Sequence, residues 1–270
     1  MPDYHLYDDW VNYQLSLGVK SSDLKYYTDY SIGFMTRGCF RKCQFCVNKN
    51  YSQVMMHSPL DEFFDKTRKK ICLLDDNFLG CKEWRSMLDQ LKSTGRRFQF
   101  KQGLDERILT DEKCRELFSC KYDGDYIFAF DNVADAPLIT NKLELIRKYT
   151  DKVVKFYVLC GFDRDGKYDD DFWVQDIIDL FTRIKILMHF KCIPYVMRFE
   201  RYKDSPYRGI YISAARWSNQ PSMFKKTSFR EFCMLRKDSV KYLEDFEAIN
   251  PLIAAEFFDL HFGNGSIHCI

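Results

Sequence analysis

At 270 residues, with 46% hydrophobic and 30% charged side chains and a formal net charge of +2, the chain has the composition of a folded protein with a sizeable core, not of a disordered one. No apolar run approaches the ~18–20 residues that span a bilayer, and the opening MPDYHLYDDW lacks the basic and apolar regions of a signal peptide, so a cytoplasmic protein without membrane partners is expected. Eleven cysteines, an odd number scattered outside one cluster, do not make a disulfide framework and fit a reducing compartment.

Residues 1–30 read as an N-terminal segment, and from residue 31 short β-rich runs alternate with helical stretches. Residues 31–36 form a first expected strand that leads into Cys39, Cys43 and Cys46. Ser58 and Pro59 read as the cap and first residue of a helix running through Phe63, Phe64 and Lys69. A second strand follows at 71–74, then a helix from about Lys82 with Trp84, Met87, Leu88 and Leu91 at helical spacing and Gly95 as its stop. The third strand is 98–100, and Thr110 caps the next helix ahead of Asp111 and Glu112. A fourth strand at 126–130 precedes a helix opened by Pro137, and a fifth at 153–159 precedes the longest helix, 171–188. The sixth strand is 192–197, and the close of the chain, 263–270, reads as a mobile tail.

Six strands joined by helical crossovers imply parallel pairing with right-handed connections. The expected fold is therefore α/β: a partial (β/α)6 TIM-type barrel with parallel strands over 31–200 and a C-terminal α-rich extension over 201–270. An open doubly wound sheet has the same alternation. Each strand ends in polar groups: the cysteine loop, then Asp75, Asp76 and Asn77, then Lys101 to Arg107, then Asp131 and Asn132, then Gly161 to Asp163, then Arg198 to Arg201. In parallel α/β folds that carboxyl end is where ligands bind.

The GCFRKCQFC run at 38–46 carries a CxxxCxxC spacing that points to an iron–sulfur cluster. Three thiolates in one loop with no evident fourth leave one iron open to another ligand, as a reactive metal site requires. Zinc competes for the same thiolates, but structural zinc sites generally show two separated ligand pairs, and the five histidines are dispersed. The other eight cysteines read as small core residues.

With that loop after the first strand, residues 31–200 resemble the radical S-adenosylmethionine (radical SAM) superfamily, in both the cysteine spacing and the aromatic Phe45 before the last cysteine. The resemblance implies that Cys39, Cys43 and Cys46 hold a [4Fe-4S] cluster whose fourth iron is chelated by S-adenosylmethionine. It also implies reductive cleavage to a 5′-deoxyadenosyl radical, which takes a hydrogen atom from the substrate. Phe45 is then expected near the adenine, and Asp75, Asp76 and Asn77 stand where the family often has Gly-Gly-Glu to bind the methionine amine. Gln102, Asp105 and Arg107 are implied for carboxylate, ribose or substrate, Asp131 as a further cofactor contact, and Cys160 and Gly161 beside the adenine. A one-electron reductant such as a flavodoxin or ferredoxin is the implied partner. The Asp-Asp-Asn-Phe and Gln-Gly-Leu-Asp patterns resemble members that follow a cobalamin-binding-like domain; the 30 residues ahead of the first strand do not build one, so cobalamin is not expected unless a separate chain supplies it.

Between Tyr195 and Glu231 eight basic residues face three acidic ones, a local charge of +5, with Tyr202, Tyr207, Tyr211, Trp217, Phe224 and Phe229 interleaved. Such a pattern fits an anionic small substrate or nucleic acid. The second hypothesis is accordingly a non-catalytic zinc-stabilised nucleic-acid-binding protein. The acids between Asp163 and Asp171 do not complete a calcium loop and are expected to favour the N-terminus of the following helix, and His189 is expected to pack or cap at that helix's end.

Overall fold

In a computed structural model that describes residues 2–263, the chain divides into two compact units, one ending at Tyr126 and one starting at Ile127. The expected tail lies, from residue 264 on, outside the described residues, and Cys269 with it. The class is α/β: parallel ladders flanked by many helices, none of which, among the described residues, is long and apolar enough to cross a membrane.

The first unit begins with helices α1 (Asp8–Ser16) and α2 (Lys25–Thr28). Strand β1 (Tyr30–Gly33) follows, then the two-residue strands β2 (Thr36–Arg37) and β3 (Met55–Met56), then β4 (Lys70–Leu73), helix α3 (Trp84–Ser93), β5 (Arg97–Phe100) and helix α4 (Asp111–Phe118). The sheet order is β1-β4-β5, parallel throughout, with Gly33 beside Leu73 and Leu73 beside Phe100. Ile71, Cys72 and Leu73 are buried, as expected for a central strand covered on both faces. Helix α3 buries Met87, Leu88 and Leu91 on one stripe and stops where Gly95, at φ +68°, turns the chain. Thr110 caps α4 by accepting from the Lys113 N–H at 3.2 Å.

Residues 58–69 do not form the expected helix; only a single 3₁₀ turn, Leu60–Glu62, is present. Two side chains displace the helical hydrogen bonds. The Tyr4 hydroxyl donates to the Phe63 carbonyl at 2.7 Å, the acceptor a helix would offer to residue 67. The Thr67 N–H instead donates to Asp65 Oδ1 at 2.8 Å, a local side-chain turn that competes with helix. Tyr4 also accepts from the Ile32 N–H at 2.7 Å, so the N-terminal segment is tied to β1.

In the second unit, β6 (Tyr126–Ala129) leads to helix α5 (Ala136–Tyr149), then β7 (Val154–Cys160), helix α6 (Asp170–His189) and β8 (Ile193–Arg198), in sheet order β6-β7-β8 with β7 and β8 parallel. Asp169 caps α6, accepting from the Phe172 N–H at 2.9 Å, as the acidic run predicts, and His189 is its last residue, edge-on to Phe190. Five helices follow: α7 (Arg208–Ser218), α8 (Pro221–Phe224), α9 (Phe229–Met234), α10 (Lys237–Ile249) and α11 (Pro251–Phe257). Between residues 208 and 257 the described chain is thus mostly helical. Asn219 pairs with the edge of β8, accepting from Val196 N at 2.7 Å and donating to Val196 O at 3.0 Å, so that side chain substitutes for a neighbouring strand.

Arg183 of α6, 1% exposed, gathers three carbonyls at the ends of β6 and β7: Phe130 O (3.1 Å), Asp131 O (3.0 Å) and Leu159 O (2.8 Å). Replacing it with Leu leaves those acceptors buried without their donor, at about 1–3 kcal/mol each before relaxation. R183L is expected to lose roughly 3 kcal/mol or more in chemical denaturation, and a loss within about 0.5 kcal/mol contradicts this role.

Candidate metal and cofactor site

Parallel pairing of β1 with β4 sends the residues that follow both strands out at the same end of the sheet, so carboxylates just past β4 meet backbone just past β1. Asp75, 3% exposed, accepts from Met35 N (3.3 Å), Thr36 N (2.6 Å) and Thr36 Oγ1 (2.7 Å). Asp76, half-buried, accepts from Gly38 N at 3.0 Å. Gly38 sits at φ +94°, and a Cβ there would lie 2.4 Å from the Gln53 carbonyl, so this turn requires glycine. Antiparallel β2 and β3, with Thr36 opposite Met56 and Arg37 opposite Met55, close the neck of the loop. Residues 38–54 between them carry no helix or strand.

Cys39, Cys43 and Cys46 stand half-buried in that loop, with Phe45 half-buried between the last two. The N–H of Arg41 donates to Cys39 Sγ and that of Asn48 to Cys46 Sγ, each at 3.4 Å and each from two residues further on. A turn joins the other pair, Cys46 N donating to Cys43 O at 3.0 Å. Lys42 Nζ ties the loop across itself by donating to the carbonyls of Lys49 and Tyr51. Among the described residues, no three His, Cys, Asp or Glu side chains are gathered as a bound metal ion requires. The donor set of three thiols in one loop fits iron or another thiophilic metal by its chemistry.

Asn77, 2% exposed, extends the site inward. Its Nδ2 donates to Cys39 Sγ at 3.4 Å and to Asp105 Oδ2 at 3.3 Å. Asp105, from the loop after β5, accepts from Arg41 Nε and from Arg107 Nε, each at 2.8 Å. Burial opposes its ionisation, but the two guanidiniums outweigh burial and hold the carboxyl below its usual range. Asp75, Asp76, Asn77, Asp105 and Arg107 are thus brought together beside the cysteines, whereas Gln102 is exposed on the loop after β5. Arg41 was not among the expected site residues. Its only signal is a basic residue in the spacer between the first two cysteines, and its partner lies 64 residues away.

Asp131, Cys160 and Gly161 lie in the second unit, where each supports the carboxyl end of β7. Asp131 accepts from Leu159 N at 3.0 Å, and Cys160 is buried, which pushes its thiol up. Gly161, at φ +74°, donates its N–H to Asp176 at 2.7 Å. Asp176, also unforeseen, is raised by burial and accepts from the Tyr211 hydroxyl at 2.7 Å. Of the aromatics interleaved with the basic segment, Tyr211, Trp217, Phe224 and Phe229 are core residues and offer no platform for bases. Several of its cations have acidic partners: Arg201 with Asp204, Arg216 with Asp238, and Arg230 with Glu247 and Asp259.

Searches for similarity found no matching protein family, curated protein or solved structure.

Burial pushes the Asp75 carboxyl up to about 6, against the opposing hydrogen bonds from Thr36 and Met35. A folded value above the unfolded 3.8 means that this group's stability contribution is fully present below that pH and is lost as pH rises through 6. The gap corresponds to up to about 3 kcal/mol. Relative to Asp75→Asn, the wild-type chain is therefore expected to lose up to about that much between pH 4 and 7 in denaturation profiles, and a pH-independent difference contradicts the assignment.

Proposed function

We propose that the chain is a radical SAM enzyme whose cluster loop is 39–46. The observation that carries this is the loop itself: three thiols in CxxxCxxC spacing at the carboxyl end of a parallel strand, with Asp75 and Asp76 holding its neck. The partial (β/α)6 barrel expected over 31–200 belongs to the same proposal.

Cys39, Cys43 and Cys46 would hold three irons of a [4Fe-4S] cluster. When bound, the cluster and S-adenosylmethionine supply, on one-electron reduction, the radical that abstracts a hydrogen atom from substrate. The chain's residues bind and orient. Loop 38–54, outside helix and strand, would have to draw its sulfurs together around the cluster, with its neck pinned by Asp75 and Asp76. Of the three polar residues after β4, Asp75 is committed to Met35 and Thr36, which leaves half-buried Asp76 as the acceptor for a cationic ammonium. Arg107, oriented by Asp105, presents a guanidinium suited to a carboxylate. Phe45 offers a ring for the adenine. Reduction calls for a one-electron donor of the flavodoxin or ferredoxin kind.

Anaerobic reconstitution is expected to load about four irons and four sulfides per chain, and dithionite with S-adenosylmethionine to yield 5′-deoxyadenosine. Cys39→Ala, Cys43→Ala and Cys46→Ala should each reduce that product to background. Stoichiometric zinc with no iron uptake would sink the proposal.

A further inference from the structure

Asn77 makes a contact that binding of S-adenosylmethionine does not explain: its amide joins the first cysteine of the loop to a buried charge network. The two atoms facing Nδ2, a sulfur and a carboxylate oxygen, are both acceptors, so only the N–H₂ end of the amide can meet them. The other end of the amide makes no competing hydrogen bond. Asn77 Oδ1 is buried without a hydrogen-bond partner, beside Gly80, where an added Cβ would come within 3.2 Å of it. Behind the amide, Asp105 is balanced by Arg41 and Arg107, one of which belongs to the cysteine loop.

We propose that Asn77 is a positioning residue that sets the electron affinity of the metal centre through its hydrogen bond to Cys39. This rests on the radical SAM reading and goes beyond it, assigning the side chain to the cysteine sulfur and not to the methionine amine. The physics is that of a donor to a metal-bound thiolate. Reduction adds negative charge that spreads onto the sulfurs, a hydrogen-bond donor stabilises that charge, and the reduction potential rises. The carboxylate beyond the amide works in the opposite direction, and the two guanidiniums limit its effect.

The test is the midpoint potential of the reconstituted full chain, followed by electron paramagnetic resonance, with iron content measured alongside. Asn77→Leu removes the donor at similar volume, and Asn77→Asp replaces it with an acceptor. Both are expected to load iron as wild type does but to shift the potential to more negative values. The expected size is about a tenfold fall in the reduced-to-oxidised ratio at a fixed poise, or about 59 mV for a one-electron couple. Asn77→Gln, which keeps the amide, should lie nearer the wild-type value. Asp105→Asn leaves Asn77 in place and removes the carboxylate, so its potential should move the other way; if the leucine variant does not fold, the contrast between Asn77→Gln and Asn77→Asp decides the matter. Loaded variants with an unmoved potential overturn this proposal and leave the enzyme reading standing. A wild-type chain that takes up no cluster overturns both.

Discussion

The candidate site depends on two carboxylates past the end of one strand holding the backbone past the end of its neighbour. Asp75 and Asp76 follow β4, and their oxygens take the N–H groups of Met35, Thr36 and Gly38, which lead from β1 into the cysteine loop. A loop of 17 residues without helix or strand, 38–54, has few ways to keep a fixed entry and exit. Here the entry is fixed by charge-assisted hydrogen bonds and the exit by the short β2–β3 pairing. The cost is a buried carboxylate, visible in the upward displacement of Asp75.

A second layer lies beneath the first. Asn77 reaches Cys39, Asp105 reaches Asn77, and Arg41 and Arg107 close on Asp105, so the β2–β3 loop and the loops after β4 and β5 share one polar network. Such networks rigidify a site when nearly every member is satisfied. Within it, Asn77 Oδ1 is buried without a hydrogen-bond partner. The second unit uses a different device at the equivalent end of its strands: Arg183 collects carbonyls, and Asp176 holds the Gly161 amide.

Much of the secondary structure was legible in the sequence because local signals and tertiary demands agreed. Gly95 and Thr110 end and begin helices where expected, and the strands at 70–73, 97–100, 126–129, 154–160 and 193–198 fall within a residue or two of their apolar runs. Residues 58–69 carried good helix-start chemistry but met Tyr4 from 59 residues away, which no local pattern encodes. Helix α1 escaped notice because it buries only Val11 and so has no apolar stripe. The cysteines declare themselves by spacing, and the carboxylates by their place after a strand. The pairing of Arg41 with Asp105, by contrast, is a product of the fold alone. The aromatics of the basic segment misled because core packing and base stacking recruit the same side chains.

The central claim is that three cysteines hold a cluster with one iron open to S-adenosylmethionine. It is tested most directly by electron paramagnetic resonance of the reduced, reconstituted chain with and without that molecule. The account predicts a [4Fe-4S] signal whose shape changes when S-adenosylmethionine is added. A signal indifferent to it, or a chain that binds zinc in place of iron, would contradict the account.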